Sequence, residues 1–329
     1  MKALISVIIP NHNGGKTIDL CLQAALASDY ENFEVIVVDD KSTDNSTEII
    51  KIFSCKLIRL PERGGASVAR NTGARHSSGE ILFFIDADCL LQVDTLSVVA
   101  RTMSESKDDV IVGGTYTPVP HDKEFFSTFQ SVFIHYSETK NLEKPDYLAS
   151  HALAISAQNF QKSGGFAEDF MPILEDVEYS HRLRHQGFTL RMSPRILVRH
   201  IFLFSLARSL KNAHRKSRHW FRYSLKNKDV LADSGTASAE LKFNVAAWVV
   251  VAALLVIGHL LQEPLLLLPL PVVICINLYV SRNLFRHFQT HIGKMFAVKA
   301  ALYYILLYPL AISAGIANGL LDHLLGSKG

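Results

Sequence analysis

Two carboxylates stand directly after a short apolar stretch in the first third of the sequence. Ile81–Ile85 has the length and flanks of a buried β-strand, and Asp86 and Asp88 follow it. Side chains two residues apart in extended backbone point the same way, and open α/β sheets bind ligands at the carboxyl ends of their strands. Paired hard oxygen ligands suit a divalent cation that itself holds a diphosphate. A solvated Asp-X-Asp turn is the alternative interpretation.

Alternating strands and helices would position these carboxylates. The pattern predicts strands at 4–9, 33–38, 57–60 and 81–85, with helices between them at 18–28, 47–53 and 66–75. This alternation predicts an α/β fold with a doubly wound, mostly parallel sheet that is flanked by helices.

Polar residues end three of these strands, and in such a sheet they line one crevice. Pro10, Asn11 and Asn13 lie at the end of the first strand, and Asp39 and Asp40 end the second. A carboxylate at the end of the second strand can accept hydrogen bonds from a ribose or a base. The sequence therefore predicts a nucleotide site at this edge of the sheet.

Two other nucleotide-binding classes are disfavoured because their glycine-rich loops are missing. No GxGxxG follows the first strand, and GxxxxGK[ST] does not occur. Without such a loop, a nucleotide diphosphate needs a metal ion and basic side chains. Asp86, Asp88 and Arg70, which lies on the predicted helix 66–75, offer both.

Three motifs carry a resemblance to a known family. They read SVIIPNHN, VIVVDDKSTDNS and GGASVARNTGARHSSGEILFFIDADC, and in this order they closely resemble the family 2 glycosyltransferases with the GT-A fold. The resemblance is strong over residues 4–90 and looser to about residue 200. It implies that Asp39 and Asp40 bind the nucleobase. It also implies that Asp86 and Asp88 hold Mg²⁺ or Mn²⁺ on the diphosphate of a sugar nucleotide.

A second acidic pair opens a predicted helix that runs from Glu175 to about residue 186. Acidic residues in a first helical turn can simply favour the helix dipole and cap. The resemblance instead implies that Asp176 is the catalytic base, with Gly165 and Glu175 on the acceptor side. Arg182, two turns into the helix, could help to hold this acceptor side or could be a solvated or core-edge residue. An inverting transfer needs such a carboxylate within hydrogen-bond reach of the acceptor hydroxyl.

Two further observations refine this prediction. A strand at 196–200 ends in His200, which is a candidate third metal ligand or a structural histidine. The Gln-x-x-Arg-Trp signature of processive synthases is missing after the predicted base, which favours transfer of one sugar per acceptor.

The C-terminal part differs sharply in composition from the rest. Residues 199–329 hold 15 of the 34 Lys and Arg but 5 of the 31 Asp and Glu, together with the long apolar stretches. We predict a catalytic domain at 1–202, a basic amphipathic interfacial helix at 203–230, and a membrane region at 231–329. The predicted membrane segments are 243–261, 265–280 and 300–321, with a basic loop at 282–294.

The charges also predict an orientation. The interfacial helix and the basic loop fall on one side and Glu263 on the other, so the positive-inside rule keeps the catalytic domain cytoplasmic. We therefore expect a multi-pass protein of the inner (plasma) membrane, although 265–280 could be tilted or re-entrant. The four cysteines form no CxxC pair and indicate a reducing compartment. A soluble protein with these segments as core helices is the alternative.

Together these observations predict a membrane-anchored, metal-dependent, inverting glycosyltransferase. It would move one sugar from a nucleotide-sugar, a UDP-sugar in our interpretation, to a lipid or lipid-linked saccharide of the cell envelope. One alternative is a polyprenyl-phosphate sugar synthase. Another, from a different class, is a non-catalytic sensor or scaffold that binds sugar nucleotides. No nucleic acid partner is expected, and the oligomeric state cannot be read from the sequence.

Overall fold

The computed structural model describes residues 2–170 and 173–325, which form two compact units. The first unit contains the described residues up to 123 and those from 138 to 203. The second contains residues 124–137 and the described residues from 204 onward. Residues 124–137 thus group with the C-terminal helices.

The first unit is built from alternating strands and helices. Its strands are β1 (Ile5–Asn11), β2 (Phe33–Asp39), β3 (Lys56–Arg59), β4 (Ile81–Ile85), β5 (Cys89–Leu91), β6 (Val110–Tyr116), β7 (Ala152–Ser156) and β8 (Thr189–His200). Its helices are α1 (Ile18–Leu26), α2 (Ser46–Ile50), α3 (Gly65–Arg75), α4 (Thr95–Ser104), α6 (Ala157–Ser163) and α7 (Glu175–His185). Helix α5 (Phe125–Thr139) lies mainly in the second unit.

The strands form one mixed sheet in the order β3-β2-β1-β4-β7-β6-β8-β5. Four of the seven neighbouring pairs among the described strands are parallel, as the alternation predicted for most of the sheet. The other three pairs are antiparallel, and they bring two further chain segments to the end of β4. Ala152 of β7 pairs with Ile85 of β4, and His200 of β8 pairs with Cys89 of β5.

The apolar strands are the centre of the core. Every residue of β4 is buried, and Phe84 packs with its ring centroid 5.3 Å from those of Phe160 and Phe166. Tyr179 and Leu183 of α7 belong to the same buried cluster. Burial of each such side chain stabilises the fold by about 1.5–3 kcal/mol. Because one cluster joins β4 and α7, it sets the position of the predicted base relative to the predicted metal pair.

The second unit is helical. Besides α5 it contains α8 (Leu206–Asn227), α9 (Ala239–Leu261), a 3₁₀ helix (Pro264–Leu267), α10 (Leu270–Val280), α11 (Arg282–His291), α12 (Lys294–Leu306) and α13 (Tyr308–Leu324). In the described part of the chain, two helical stretches are long and apolar enough to cross a membrane, Ala239–Leu261 and Lys294–Leu324. The stretch Pro264–Val280 reaches that length only together with α11, from which it is bent by 55°.

The predicted basic loop at 282–294 is wrong, because most of that segment is helix α11. Leu284 and Phe288, four residues apart, are buried on one face of this helix, and the basic residues occupy the remaining faces. Only these two apolar residues mark the buried face, so the helical periodicity of the segment is weak beside its many basic residues.

Helix α8 covers most of the predicted interfacial helix, and it lies along α13. Gly315 and Gly319 of α13 allow the close approach. A methyl group at Gly319 would lie 2.6 Å from the carbonyl oxygen of Arg218 in α8. Further along, the Arg218 guanidinium donates to both carboxylate oxygens of Asp322 at 2.6 and 2.8 Å. A basic surface helix is thus fixed to an apolar one.

Candidate functional site

The two predicted metal ligands follow β4 in a tight turn. The backbone N–H of Cys89 donates to the carbonyl of Asp86 at 3.0 Å, and β5 begins there. The register of β5 with β8 then places the His200 imidazole 3.4 Å from the carboxylate of Asp88. Asp86 and Asp88 keep 34% and 41% of their side-chain surface exposed, so a ligand can reach both. The structure therefore brings the three predicted metal ligands to one edge of the sheet.

Arg70 joins this pair to the second acidic motif. The side chain is almost fully buried, and it donates from Nη2 to Asp86 at 2.8 Å and from Nη1 to Glu175 at 2.7 Å. Burial opposes ionisation of Asp86, but the adjacent guanidinium holds the pKa of Asp86 below its usual value. One arginine thus bridges the end of β4 and the start of α7.

Asp176 is the second residue of α7. One carboxylate oxygen accepts from the backbone N–H of Ser150 at 3.3 Å. Burial, reinforced by the negative charge of Glu175, raises the pKa of Asp176 to about 6. The residue before the helix, Leu174, has a left-handed φ of 76°, a conformation that costs on the order of 1 kcal/mol in a residue other than glycine. A carboxyl group with this pKa can accept a proton near neutral pH.

Sequence reasoning missed a buried histidine in this region. His151 directly precedes β7, and its Nε2 lies 3.5 Å from the carboxylate of Glu138. Its ring stacks on Tyr116 with centroids 3.9 Å apart. Burial disfavours the charged ring, but the carboxylates of Glu138, Asp86 and Asp176 together raise the pKa of His151. The site therefore contains a buried histidine of raised pKa that no motif indicated.

The predicted acceptor-side residues Gly165 and Arg182 meet in one turn. Gly165 has a φ of 70°, and Arg182 donates to the carbonyls of Ser163 at 2.7 Å and Gly165 at 2.6 Å. Asn71, next to Arg70 on α3, donates to the Phe166 carbonyl at 2.8 Å and accepts from its N–H at 2.9 Å. These contacts stabilise the turn at Gly165, so Arg182 acts by positioning that turn.

The predicted nucleobase ligands Asp39 and Asp40 are buried and bonded within the protein. Asp39 accepts from the Asn11 amide at 2.9 Å. Asp40 accepts from the backbone N–H groups of Gly64 at 2.6 Å and Gly65 at 2.9 Å. The second pair fixes the start of α3, the helix that carries Arg70.

The two other predicted donor-side residues of the first strand end lie at the same place. Pro10 is paired with Val38 in the sheet. The side-chain oxygen of Asn13 accepts from the backbone N–H of Thr43 at 2.8 Å. All the donor-side residues thus lie at one sheet edge, and their direct contact with a nucleotide stays a prediction.

The site combines an acid pair beside a histidine, a bridging arginine, and a carboxylate of raised pKa. Such a set can accommodate a diphosphate leaving group and accept a proton. Comparison with known proteins agrees. Residues 6–159 match the model of Glycosyl transferase family 2. The glycosyltransferase GlyG of Streptococcus pneumoniae is 33% identical over 131 residues, which cover 38% of this chain and 44% of GlyG.

Two further proteins are similar. The Escherichia coli protein WfgD, named UDP-Glc:alpha-D-GlcNAc-diphosphoundecaprenol beta-1,3-glucosyltransferase, is 31% identical over 33% of this chain and 45% of its own. The mannosyltransferase PcManGT of Pyrobaculum calidifontis was solved in complex with GDP-Man and Mn²⁺. It superposes with a TM-score of 0.60 at 18% identity, over 100% of this chain and 89% of that one. The chain spans less than half the length of GlyG and of WfgD.

The fold and these matches indicate a domain of the glycosyltransferase type in the first half of the chain. Residues 6–159, just under half of the chain, match Glycosyl transferase family 2. The fold is that of the GT-A enzymes, as the three motifs predicted. Two of the three predicted membrane segments, 243–261 and 300–321, have counterparts in the two apolar helical stretches, whereas 265–280 reaches the length of a span only together with the bent helix α11.

Proposed function

We propose that this protein transfers one sugar, with inversion, from a UDP-sugar to a lipid-linked saccharide at the cytoplasmic face of the inner (plasma) membrane. The bridge from Arg70 to Asp86 and Glu175 carries the proposal, because it joins the end of β4, where we predict the leaving-group site, to the start of α7, where we predict the base. The name of WfgD supports both a UDP-sugar donor and a lipid diphosphate acceptor.

In the proposed reaction, Asp176 accepts the proton of the acceptor hydroxyl as that oxygen attacks the anomeric carbon of the donor. The bond from the anomeric carbon to the diphosphate breaks, and the nucleoside diphosphate leaves with its electron pair. Arg70 orients Asp86 and Glu175 on either side of this exchange. Neighbouring carboxylates raise the pKa of His151, and its protonated form would add positive charge near the leaving group and favour the transition state electrostatically.

A divalent cation fits the residues at the end of β4. Asp88, Cys89 and His200 each offer one ligand atom, and these atoms lie within 4.8 Å of one another. Oxygen ligands suit Mg²⁺ and Mn²⁺, whereas Cys89 is buried with a strongly raised thiol pKa and is a poor ligand for either ion. Asp88 and His200 would therefore hold the ion, together with Asp86 as the other carboxylate of the predicted pair. The ion would neutralise charge on the departing diphosphate when bound.

The metal ligands give the first test of this proposal. We expect Asp88→Asn to lower turnover at least about 100-fold and to abolish the Mn²⁺-dependent part of donor binding, because the cation loses a charged ligand. The measurement is transfer from UDP-sugars by the purified full chain in detergent, with Mn²⁺ and with a chelator.

His200→Asn should weaken the Mn²⁺ dependence in the same direction. The exposed His185→Asn serves as the matched control and should behave as the unmodified protein. Equal turnover with Mn²⁺ and with chelator in the unmodified protein would contradict the assignment of a metal site.

The acceptor's lipid chain has a candidate position within the second unit. An apolar cavity of about 280 Å³ lies among α5, α8, α9 and α13, and Phe133, Trp220, Val245 and Ile312 contribute to its wall. Lys216 also lines the cavity and could pair with a lipid phosphate. We assign this cavity to the chain of the lipid acceptor, because its wall is almost entirely hydrocarbon and aromatic.

A substitution that fills the cavity should weaken binding of the lipid acceptor without affecting donor binding. We expect Val245→Trp to raise the KM for a lipid-linked acceptor about tenfold or more, with little change in donor binding, because the indole occupies the space of the chain. The measurement is steady-state transfer to a polyprenyl-linked saccharide. Val249→Trp is the control on the same helix, since Val249 is 50% exposed. An unchanged KM in Val245→Trp would remove the cavity from the acceptor site.

A further inference from the structure

Three histidines meet in the second unit, and none of them is among the residues assigned to the transfer reaction. His135 lies on α5, and His287 and His291 lie one turn apart on α11. One ring nitrogen from each lies within 4.8 Å of the others. The ring centroids of His287 and His291 are 4.3 Å apart, and that of His135 lies 5.2 and 5.6 Å from them.

This arrangement matches the needs of a transition-metal ion. Three imidazoles form the protein ligand set of an open tetrahedral zinc site, and residues four apart on a helix present two of them from one face. Ligand nitrogens about 2.1 Å from a tetrahedral ion are about 3.4 Å from one another, so small side-chain rotations would complete the site. Histidines at i and i+4 need no backbone movement for this.

Burial gives an independent reason for a ligand. Among the described residues, Nε2 of His287 is buried and has no hydrogen-bond partner. A buried ring nitrogen without a partner costs free energy that a bound metal or water would recover. His291 is exposed and leaves a path from solvent to the site.

The helices that carry the three rings are held together by packing next to them. Phe129 of α5 and Phe288 of α11 are both fully buried, and their rings stack with centroids 5.3 Å apart at 17°. Phe288 adjoins His287 in sequence, so the aromatic pair fixes the distance between the two backbones. A site on two rigid helices is largely preformed.

We propose that His135, His287 and His291 bind one Zn²⁺ ion, which joins α5 to α11. Imidazole ligands favour Zn²⁺ strongly over Mg²⁺ and Mn²⁺, so this site would not compete for the cation of the transfer reaction. The ion would act as a cross-link within the helical unit and stabilise it by binding only the folded state.

The test uses the full chain without a polyhistidine tag, purified in detergent and stripped of metal. Zn²⁺ binding is measured by calorimetry, and Co²⁺ is used as a visible-absorbing substitute. We expect His287→Gln and His291→Gln each to weaken Zn²⁺ binding at this site about 100-fold or more, and to remove the rise in unfolding temperature that Zn²⁺ causes in the unmodified protein. The Co²⁺ spectrum should lack a thiolate charge-transfer band.

Two controls make the result specific. His259→Gln removes an exposed histidine of α9 and should bind Zn²⁺ as the unmodified protein does. His200→Asn alters the candidate catalytic metal site and should leave the thermal effect of Zn²⁺ intact. Zn²⁺ binding and stabilisation that are equal in His287→Gln, His291→Gln and the unmodified protein would overturn the proposal. So would the absence of Zn²⁺ binding in the unmodified protein.

Discussion

Replacement of Asp176 by asparagine is expected to lower the transfer rate about 1,000-fold while donor binding changes less than about twofold. Asparagine keeps the shape of the side chain and can still accept from the Ser150 N–H, but it cannot take a proton. General base catalysis contributes about 100- to 10,000-fold to rates of this kind. The measurements are kcat for transfer and the donor Kd from titration calorimetry in detergent.

The pH dependence of the unmodified protein checks the same assignment. Because the pKa of Asp176 is raised to about 6, the carboxylate form is lost as pH falls below 6. We expect kcat/KM to fall about tenfold per pH unit below that value and to level off above it. In Asp176→Asn the remaining activity should not show this fall in kcat/KM below pH 6.

As pH falls, the contribution of Asp176 to the free energy of unfolding should become more favourable while activity declines. A carboxyl group whose pKa is raised by folding destabilises the folded state at neutral pH, and the penalty disappears as pH falls from 6 towards 4. The shift from 3.8 to about 6 corresponds to at most about 3 kcal/mol. Asp176→Asn removes the charge, so its free energy of unfolding at pH 7.5 should equal or exceed that of the unmodified protein.

A matched variant separates these effects from a general response to a lost carboxylate. Asp169→Asn neutralises an exposed carboxylate seven residues earlier and should change neither the rate nor the pH profile. Undiminished transfer in Asp176→Asn would favour the alternative, a polyprenyl-phosphate sugar synthase, because a phosphate acceptor needs no strong base. Donor binding without any turnover in the unmodified protein would favour a sensor or scaffold.

The parts of the site that sequence reasoning found are those that local patterns encode. An apolar strand followed by Asp86 and Asp88 can be recognised from the sequence alone, and so can Glu175 and Asp176 at the start of a helix. His200 could also be recognised, because it ends a predicted strand. Their common location depends on strands that run to the same sheet edge, which the alternation of elements predicts.

His151 was missed because its position depends on strand direction. It stands before β7, and the start of a strand lies at the catalytic edge only if that strand is antiparallel to β4. Strand polarity is set by long-range pairing, which residue patterns do not report. Glu138 was missed for a related reason, since it ends α5 in a stretch without a motif and becomes significant only beside His151.

Substitution of Arg70 by methionine should damage both stability and donor binding. The guanidinium is 4% exposed and neutralises two carboxylates, so its loss leaves Asp86 and Glu175 with uncompensated charge in a largely buried site. Breaking a buried ion pair by removing one partner costs about 3–5 kcal/mol. We expect a loss of about 3 kcal/mol in the free energy of unfolding and at least 100-fold weaker donor binding, measured by denaturation and calorimetry.

Arg75→Met is the matched control on the same helix. Arg75 is 59% exposed and its nitrogen lies 3.6 Å from the Glu168 carboxylate, so its removal should cost less than about 1 kcal/mol and leave donor binding unchanged. Arg70→Lys keeps one positive charge but cannot donate in two directions from a planar fork. It should recover part of the stability and little of the activity.

A double substitution distinguishes the electrostatic role of Arg70 from simple packing. If the arginine matters because it compensates Glu175, then Arg70→Met combined with Glu175→Gln should be more stable than Arg70→Met alone, since one stranded charge has been removed. The coupling free energy between the two positions should be on the order of 1–3 kcal/mol. Additive losses would instead show that the two motifs are held together by the buried cluster beneath them, and the bridge would no longer support a shared site.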